Sequence, residues 1–240
     1  MRIGIISDIH GNLPALKAVL ADMERQRVEK IFCAGDLVDY GPYPEEVVNL
    51  IRDKGIPCVL GNHDQAVAWD YGEENFTVAP GRDLTSELAA LKWAQEHTSL
   101  KSKEFLRSLP ISLPVELAGY RVLIFHATPR SVKEYLREEA ADERFLELLV
   151  SYSADIGIGG HIHLSFAKQL PEALWLNTGS VGKPKDGDCR AGYLLLELGE
   201  KINFSFPRVE YNLAEILEKM EKEGLPPSLI KSLRDAQENS

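Results

Sequence analysis

Residues 2–12 read RIGIISDIHGN, an apolar run that stops at Ser7 and then delivers Asp8 and His10 two positions apart. The β-branched stretch Ile3–Ile6 has the length and content of a buried strand. On an extended backbone residues i and i+2 project to the same side, so the spacing predicts that Asp8 and His10 can grip one ion. Taken alone, Asp-x-His also fits a capping aspartate beside a surface histidine. Asn12 follows as a helix cap, with Leu16, Val19, Leu20 and Met23 at the i, i+3, i+4, i+7 positions of an amphipathic helix.

The same strand-then-helix unit recurs. KIFCAG (30–35) reads as a second strand, Pro44 to Lys54 as a helix through Val47, Leu50 and Ile51, and IPCVLG (56–61) as a third strand. Short strands separated by helices predict a parallel sheet. In such sheets ligands bind beyond the carboxyl ends of the strands, which here carry Asp8 and His10, then Asp36 and Asp39, then Asn62, His63 and Asp64. Further on, RVLIF ends at His126, and DIGIGG runs into His161 and His163, again spaced by two. Five of the six histidines thus stand at strand ends, and only His97 falls elsewhere. Scattered structural histidines do not produce that pattern, although Asp39 and Asp64 taken singly fit a structural role as well.

Residues 65–110 are helical in pattern and read as an insertion, with Trp69, Tyr71, Phe76 and Trp93 as core or as one wall of a pocket. RVLIFH, ADIGIGG, ALWLN, GYLLLEL and KINFSFPRVEY are strand-like, with a helix near 142–152 between the first two; the closely spaced later ones suggest a second, more antiparallel sheet. Asn212 opens a C-terminal helical segment, about 212–238, with Leu213, Ile216, Leu217 and Met220 on one face and a second helix after Pro227. The expectation is one domain across residues 1–240.

With 44% hydrophobic and 27% charged residues the composition is that of a soluble globular chain. No segment approaches the roughly 20 apolar residues of a membrane span, and the N-terminus lacks a signal-peptide pattern, so the expected location is cytoplasmic. Cys33, Cys58 and Cys189 form no CxxC pair and fit reduced thiols. A net charge of −10 argues against extended binding to a nucleic-acid backbone.

The blocks Asp8-Ile9-His10, Gly35-Asp36-Leu37-Val38-Asp39, Gly61-Asn62-His63-Asp64, His126 and Gly160-His161-Ile162-His163 resemble, in order, those of the calcineurin-like metallophosphoesterase superfamily. The resemblance spans about residues 3–200 and implies an α+β fold, a four-layer αββα sandwich of two mixed β-sheets. It implies one metal on Asp8, His10, Asp36 and His163 and another on Asp36, Asn62, His126 and His161, with Asp36 shared. The implied cofactors are two divalent ions, manganese first, with iron, nickel, cobalt or zinc as alternatives. The implied reaction is attack of a metal-bridging hydroxide on a phosphoester. His63 becomes the proton donor to the leaving group, oriented by Asp39, and Asn62 and His63 meet the substrate.

One departure and one further similarity narrow the branch. Protein phosphatases of this superfamily follow the second aspartate with an arginine, whereas this chain has Tyr40. NTGSVGKPKDGDCRAGY (177–193) is similar to a run in small prokaryotic phosphodiesterase-like members, with Asn177 and Ser180 bracing the site and Lys183 or Lys185 reaching phosphate, or else a glycine-rich turn with solvated lysines. Arg130 is a second phosphate-binding candidate, or a surface ion pair. The expected substrate is a small organic or nucleotide diester, with a catalytically weak metal-binding scaffold or a nuclease as alternatives. A membrane partner is not expected, nucleic acid is disfavoured, and a homo-oligomer stays open.

Overall fold

The computed structural model describes residues 1–75 and 83–237. From the N-terminus the elements are β1 (Arg2–Ile6), α1 (Leu13–Arg25), β2 (Lys30–Cys33), α2 (Pro44–Asp53), α3 (Asn62–Ala68), α4 (Leu84–His97) and α5 (Leu100–Arg107). The second half contains β3 (Ser112–Leu117), β4 (Tyr120–Phe125), α6 (Asp142–Ser151), β5 (Ile156–Gly159), β6 (Ser165–Gln169) and β7 (Leu174–Thr178). It continues through β8 (Ala191–Gly192), β9 (Leu194–Leu198), β10 (Ile202–Ser205) and β11 (Arg208–Val209) to α7 (Leu213–Lys222) and α8 (Pro227–Asp235).

Two sheets form the centre. One has the order β10-β9-β1-β2, with β1 and β2 parallel and β9 antiparallel to β1 and β10. The other has the order β3-β4-β5-β7-β6, a parallel trio β4, β5 and β7 flanked by antiparallel edges. Ile3 and Ile5 of β1 with Leu194 and Leu196 of β9 meet Val122, Ile124, Ile156, Ile158, Leu174 and Leu176 of the facing sheet. Outside the first sheet, α1 and α2 bury Leu16, Val19, Met23, Val47 and Ile51. Outside the second, Phe145, Leu148 and Leu149 of α6 cover Leu123, Phe125 and Trp175. This is the α+β, four-layer αββα sandwich of two mixed sheets that the resemblance implied.

Some elements differ from the sequence reading. The third strand is not built: residues 56–61 make only an isolated parallel bridge between Cys33 and Cys58. Pro57 has no N–H to donate, and the Leu60 N–H goes to Pro110 O at 2.8 Å instead of to β2. KINFSFPRVEY breaks at Pro207 into β10 and β11. Edge strands β3 and β6 were not anticipated, and the second sheet is parallel at its centre. Between residues 62 and 110 the described elements include the helices α3, α4 and α5, while Phe76 lies outside the described residues. Helices α7 and α8 pack Ile216, Met220, Leu229 and Leu233 against Tyr40 and Ala90.

Candidate metal centre

β1 stops at Ile6 and β5 at Gly159, so the Asp-x-His and His-x-His pairs lie in turns beyond the strands. Asp8, His10, Asp36, Asp39, Tyr40, His161 and His163 all have φ between 48° and 72°, the left-handed region that costs a non-glycine residue roughly 1 kcal/mol or more. Cross-turn hydrogen bonds hold them: Asp8 N to Gly35 O at 3.0 Å, Ile9 N to Asp36 O at 2.8 Å and Gly11 N to Leu37 O at 2.9 Å. This geometry corrects the extended-strand argument. His163 joins Asp8 and His10, whereas His161 turns to Asp36 and His126. Close approach demands glycine at two points: a Cβ on Gly160 would lie 2.0 Å from Ser7 Oγ, and one on Gly61 2.0 Å from Asp36 Oδ1.

Two buried donor groups result, Asp8–His10–His163 and Asp36–His126–His161, with the ligating atoms of each within 4.8 Å of one another. Asp36 Oδ2 lies between them, 3.7 Å from His10 Nε2 and 3.2 Å from His126 Nε2. Asp8 Oδ1 is 3.3 Å from His163 Nε2, and Asn62 Oδ1 is 3.0 Å from His126 Nε2. Each carboxylate has one oxygen tied by a backbone N–H: Asp8 Oδ2 accepts from His161 N and Asp36 Oδ1 from His63 N, both at 2.9 Å. Their other oxygens, Asp8 Oδ1 and Asp36 Oδ2, are buried without a hydrogen-bond partner among the described residues, as is His161 Nε2.

The imidazoles are aimed in the same way. His10 Nδ1 faces Val38 O at 3.2 Å, His126 Nδ1 faces Ala34 O at 2.8 Å, and His163 Nδ1 faces Lys183 O. A carbonyl at Nδ1 fixes the proton there and leaves Nε2 to coordinate. Burial pushes the pKa values of His10, His161 and His163 well below the ordinary histidine range, which favours the neutral, coordinating form. Burial works against charge on His126 too, but the Asp36 carboxylate beside it lifts its pKa to about 10. Burial also opposes ionisation of Asp36, yet the His126 and His63 charges hold it well below the usual carboxylate range. Oxygen and imidazole donors with orphaned buried lone pairs suit divalent cations.

Beside this centre, His63 Nδ1 contacts Asp39 Oδ2 at 2.7 Å. Burial would lower the His63 pKa, but the Asp36 and Asp39 carboxylates raise it above its ordinary value. Asp64 faces away from the donor atoms and accepts N–H bonds from Gly61, Asp36, Leu37 and Val38, so it braces the turn that carries Asp36. Asn177 Nδ2 donates to Gly160 O at 2.7 Å and Ser180 Oγ to Asp8 O at 2.7 Å, supporting the same turns from behind. Lys183 is buried with Nζ 4.5 Å above the Tyr40 ring, not solvated. Arg130 is exposed and engaged by Glu147 at 3.2 Å and Ser151 at 2.7 Å, the surface ion pair that stood as its alternative reading. Trp69 is 44% exposed beneath Arg107, and Trp93 stacks on His97.

Two neighbours of the site went unread in the sequence. Tyr135 packs its ring 4.3 Å from that of His161 and carries no local signal. Glu87 is fully buried in line with Ala90, Leu91 and Ala94, and a glutamate inside the apolar stripe of α4 was the available clue.

The calcineurin-like phosphoesterase superfamily domain matches residues 1–201. An uncharacterized protein of Methanocaldococcus jannaschii is 34% identical across 93% of this chain and 93% of its own. The crystal structure of a metallophosphoesterase from Sphaerobacter thermophilus has a TM-score of 0.79 at 30% identity, covering 98% of this chain and 99% of that one. A hypothetical protein of Pyrococcus horikoshii shares the fold with a TM-score of 0.86 at 21% identity, over 100% of this chain and 98% of its own. With the donor set in place and its domain matched over most of the length, this chain belongs to the calcineurin-like phosphoesterase superfamily.

Proposed function

We propose that the protein is a phosphodiesterase for small organic or nucleotide esters that works with two divalent ions, manganese first. The observation that carries this reading is Asp36 Oδ2, buried between two donor groups, with the His63–Asp39 pair alongside. Asp8, His10, Asp36 and His163 would hold one ion, and Asp36, Asn62, His126 and His161 the other. Such ions supply positive charge for phosphate oxygens and acidify a water.

The chain's own part follows from its geometry. Asp36 carries both donor groups through one oxygen because His63 N–H occupies the other. Asp39 fixes a proton on His63 Nδ1, which leaves Nε2 to meet the ester and give its proton to the departing alkoxide. Asn62, at the start of α3 beside His63, meets a phosphate oxygen. Tyr40 stands where the protein phosphatases of this superfamily carry an arginine, so the second charge of a monoester lacks that cation, which supports a diester. Buried Lys183 serves as a wall of the site, and Arg130, engaged by Glu147, drops out of the proposed substrate contacts. The burial of Lys183 and the pairing of Arg130 also weigh against a nuclease, which needs a basic track beside the pocket. The complete donor set with His63 weighs against an inert scaffold. Three free cysteines agree with a cytoplasmic setting, and no helix among the described residues is long and apolar enough to cross a membrane.

The test is hydrolysis of mono- and diesters by metal-stripped protein with single ions restored. Manganese should return turnover, on diesters above monoesters. If no ion returns turnover on any ester, the proposal fails.

A further inference from the structure

Tyr40, Glu87 and Lys183 form a buried group that coordination does not require. The Tyr40 ring lies 4.8 Å, centroid to centroid, from the rings of both His10 and His63. Its hydroxyl donates to Glu87 Oε2 and stands 3.4 Å from His63 Nε2. Glu87 has no solvent exposure, and Lys183 Nζ caps the tyrosine face. Met220 of α7 and Leu229 and Leu233 of α8 close the space around Tyr40 and Lys183. A buried carboxylate is costly unless it is compensated, so a glutamate within an apolar stripe calls for a reason.

The reason lies in hydrogen-bond polarity. A hydroxyl has one hydrogen, and Tyr40 gives it to Glu87, so its oxygen faces His63 Nε2 with a lone pair and can only accept. Asp39 likewise accepts at Nδ1. Acceptors at both ring nitrogens direct an N–H outward at each. The 3.4 Å separation is longer than a well-formed hydrogen bond, so this contact orients the Nε2 proton without holding it tightly.

We propose that Glu87, acting through the Tyr40 hydroxyl, is a positioning residue for the proton that His63 delivers to the leaving oxygen. This rests on the phosphoester hydrolysis proposed above. In that step the P–O ester bond breaks with its electron pair on the leaving oxygen. That oxygen takes the Nε2 proton and departs as the alcohol, the attacking hydroxyl on phosphorus comes from water whose other proton passes to solvent, and His63 is left neutral until solvent reprotonates it. Helix α4, from the insertion, thereby becomes part of the acid machinery, with α7 and α8 packed over it.

The experiment compares bis(p-nitrophenyl) phosphate, whose leaving group needs little protonation, with a cyclic nucleotide, whose leaving group is an alkoxide, using manganese-loaded protein. Tyr40→Phe and Glu87→Gln should each lower kcat on the alkoxide ester about tenfold and on the nitrophenyl ester less than twofold. The double variant should lose less than the two single losses combined, because Glu87 acts through the hydroxyl. In metal-free protein labelled with 15N-histidine, the His63 Nε2–H signal, assigned with His63→Gln, should be visible in the wild type and broadened by solvent exchange in Tyr40→Phe. Equal losses on both esters, additive losses in the double variant, or an unchanged Nε2–H signal would each overturn the proposal while leaving the hydrolase reading intact. A wild-type protein that cleaves no mono- or diester with any restored ion removes the hydrolase reading and this inference with it. If Glu87→Gln does not fold, Tyr40→Phe and its Nε2–H signal decide alone.

Discussion

His63 is one position removed from Asn62, yet its ring is spent on Asp39 and not on the donor groups. His63→Ala should therefore keep near-normal metal content while hydrolysis falls about 100-fold or more, measured by metal analysis and steady-state kinetics on one preparation. His126 makes a different prediction. Its pKa of about 10 means that it is protonated at neutral pH in the metal-free chain, and a cation must displace that proton to reach Nε2. Raising the pH toward 10 removes the competing proton, so metal affinity should climb over that interval. Calorimetric titration in buffers of differing ionisation enthalpy should detect a released proton at pH 7, and pH-independent affinity would contradict this. Asp64→Asn turns an amide NH₂ toward two of the four backbone N–H donors, so denaturant unfolding should show a loss of about 3 kcal/mol. The donor residues were legible in the sequence because coordinating chemistry belongs to the side chain itself. Glu87 and Tyr135 were not, since their relevance depends on which distant ring they meet.

The elements differ in how much of them a local pattern can announce. Strand β1 and helix α1 were readable because their periodicity matches their burial, and Asn12 caps α1 through Ala15 N. Strand β3 was not, because Pro114 and a half-exposed face suppress the signal, and an edge position tolerates both. The turn after β5 has no room for a side chain at Gly160. Gly160→Ala should push Ser7 and Asp8 apart and lower metal content, while a variant that still binds the full complement of metal would show that the turn can relax. The C-terminal pair is held by packing. Leu229→Ala, fully buried on α8, should cost about 2–4 kcal/mol in denaturant unfolding.

Across the whole molecule, the donor groups join the two halves of the sandwich. Asp8, His10, Asp36 and Asn62 come from turns of the first half, and His126, His161 and His163 from the second. A cation held by both halves binds only the folded chain. At a thousandfold excess over its Kd this adds about 4 kcal/mol, so restoring manganese to stripped protein should raise the Tm by roughly 10 °C, read by scanning fluorimetry. An unmoved Tm would mean that the halves do not share the ion. The amino-acid sequence alone determined the donor types, their order along the chain and the βα units that carry them, because each motif is short and each strand end is announced by its own residues. The grouping of His163 with Asp8 and of His161 with Asp36 is the one the family resemblance implied, whereas only the tertiary structure decided that the turns are left-handed and not extended and that α4 brings Glu87 to Tyr40. Those outcomes depend on packing between segments far apart in the chain, and no local periodicity encodes the direction in which a side chain leaves a turn held from across the fold.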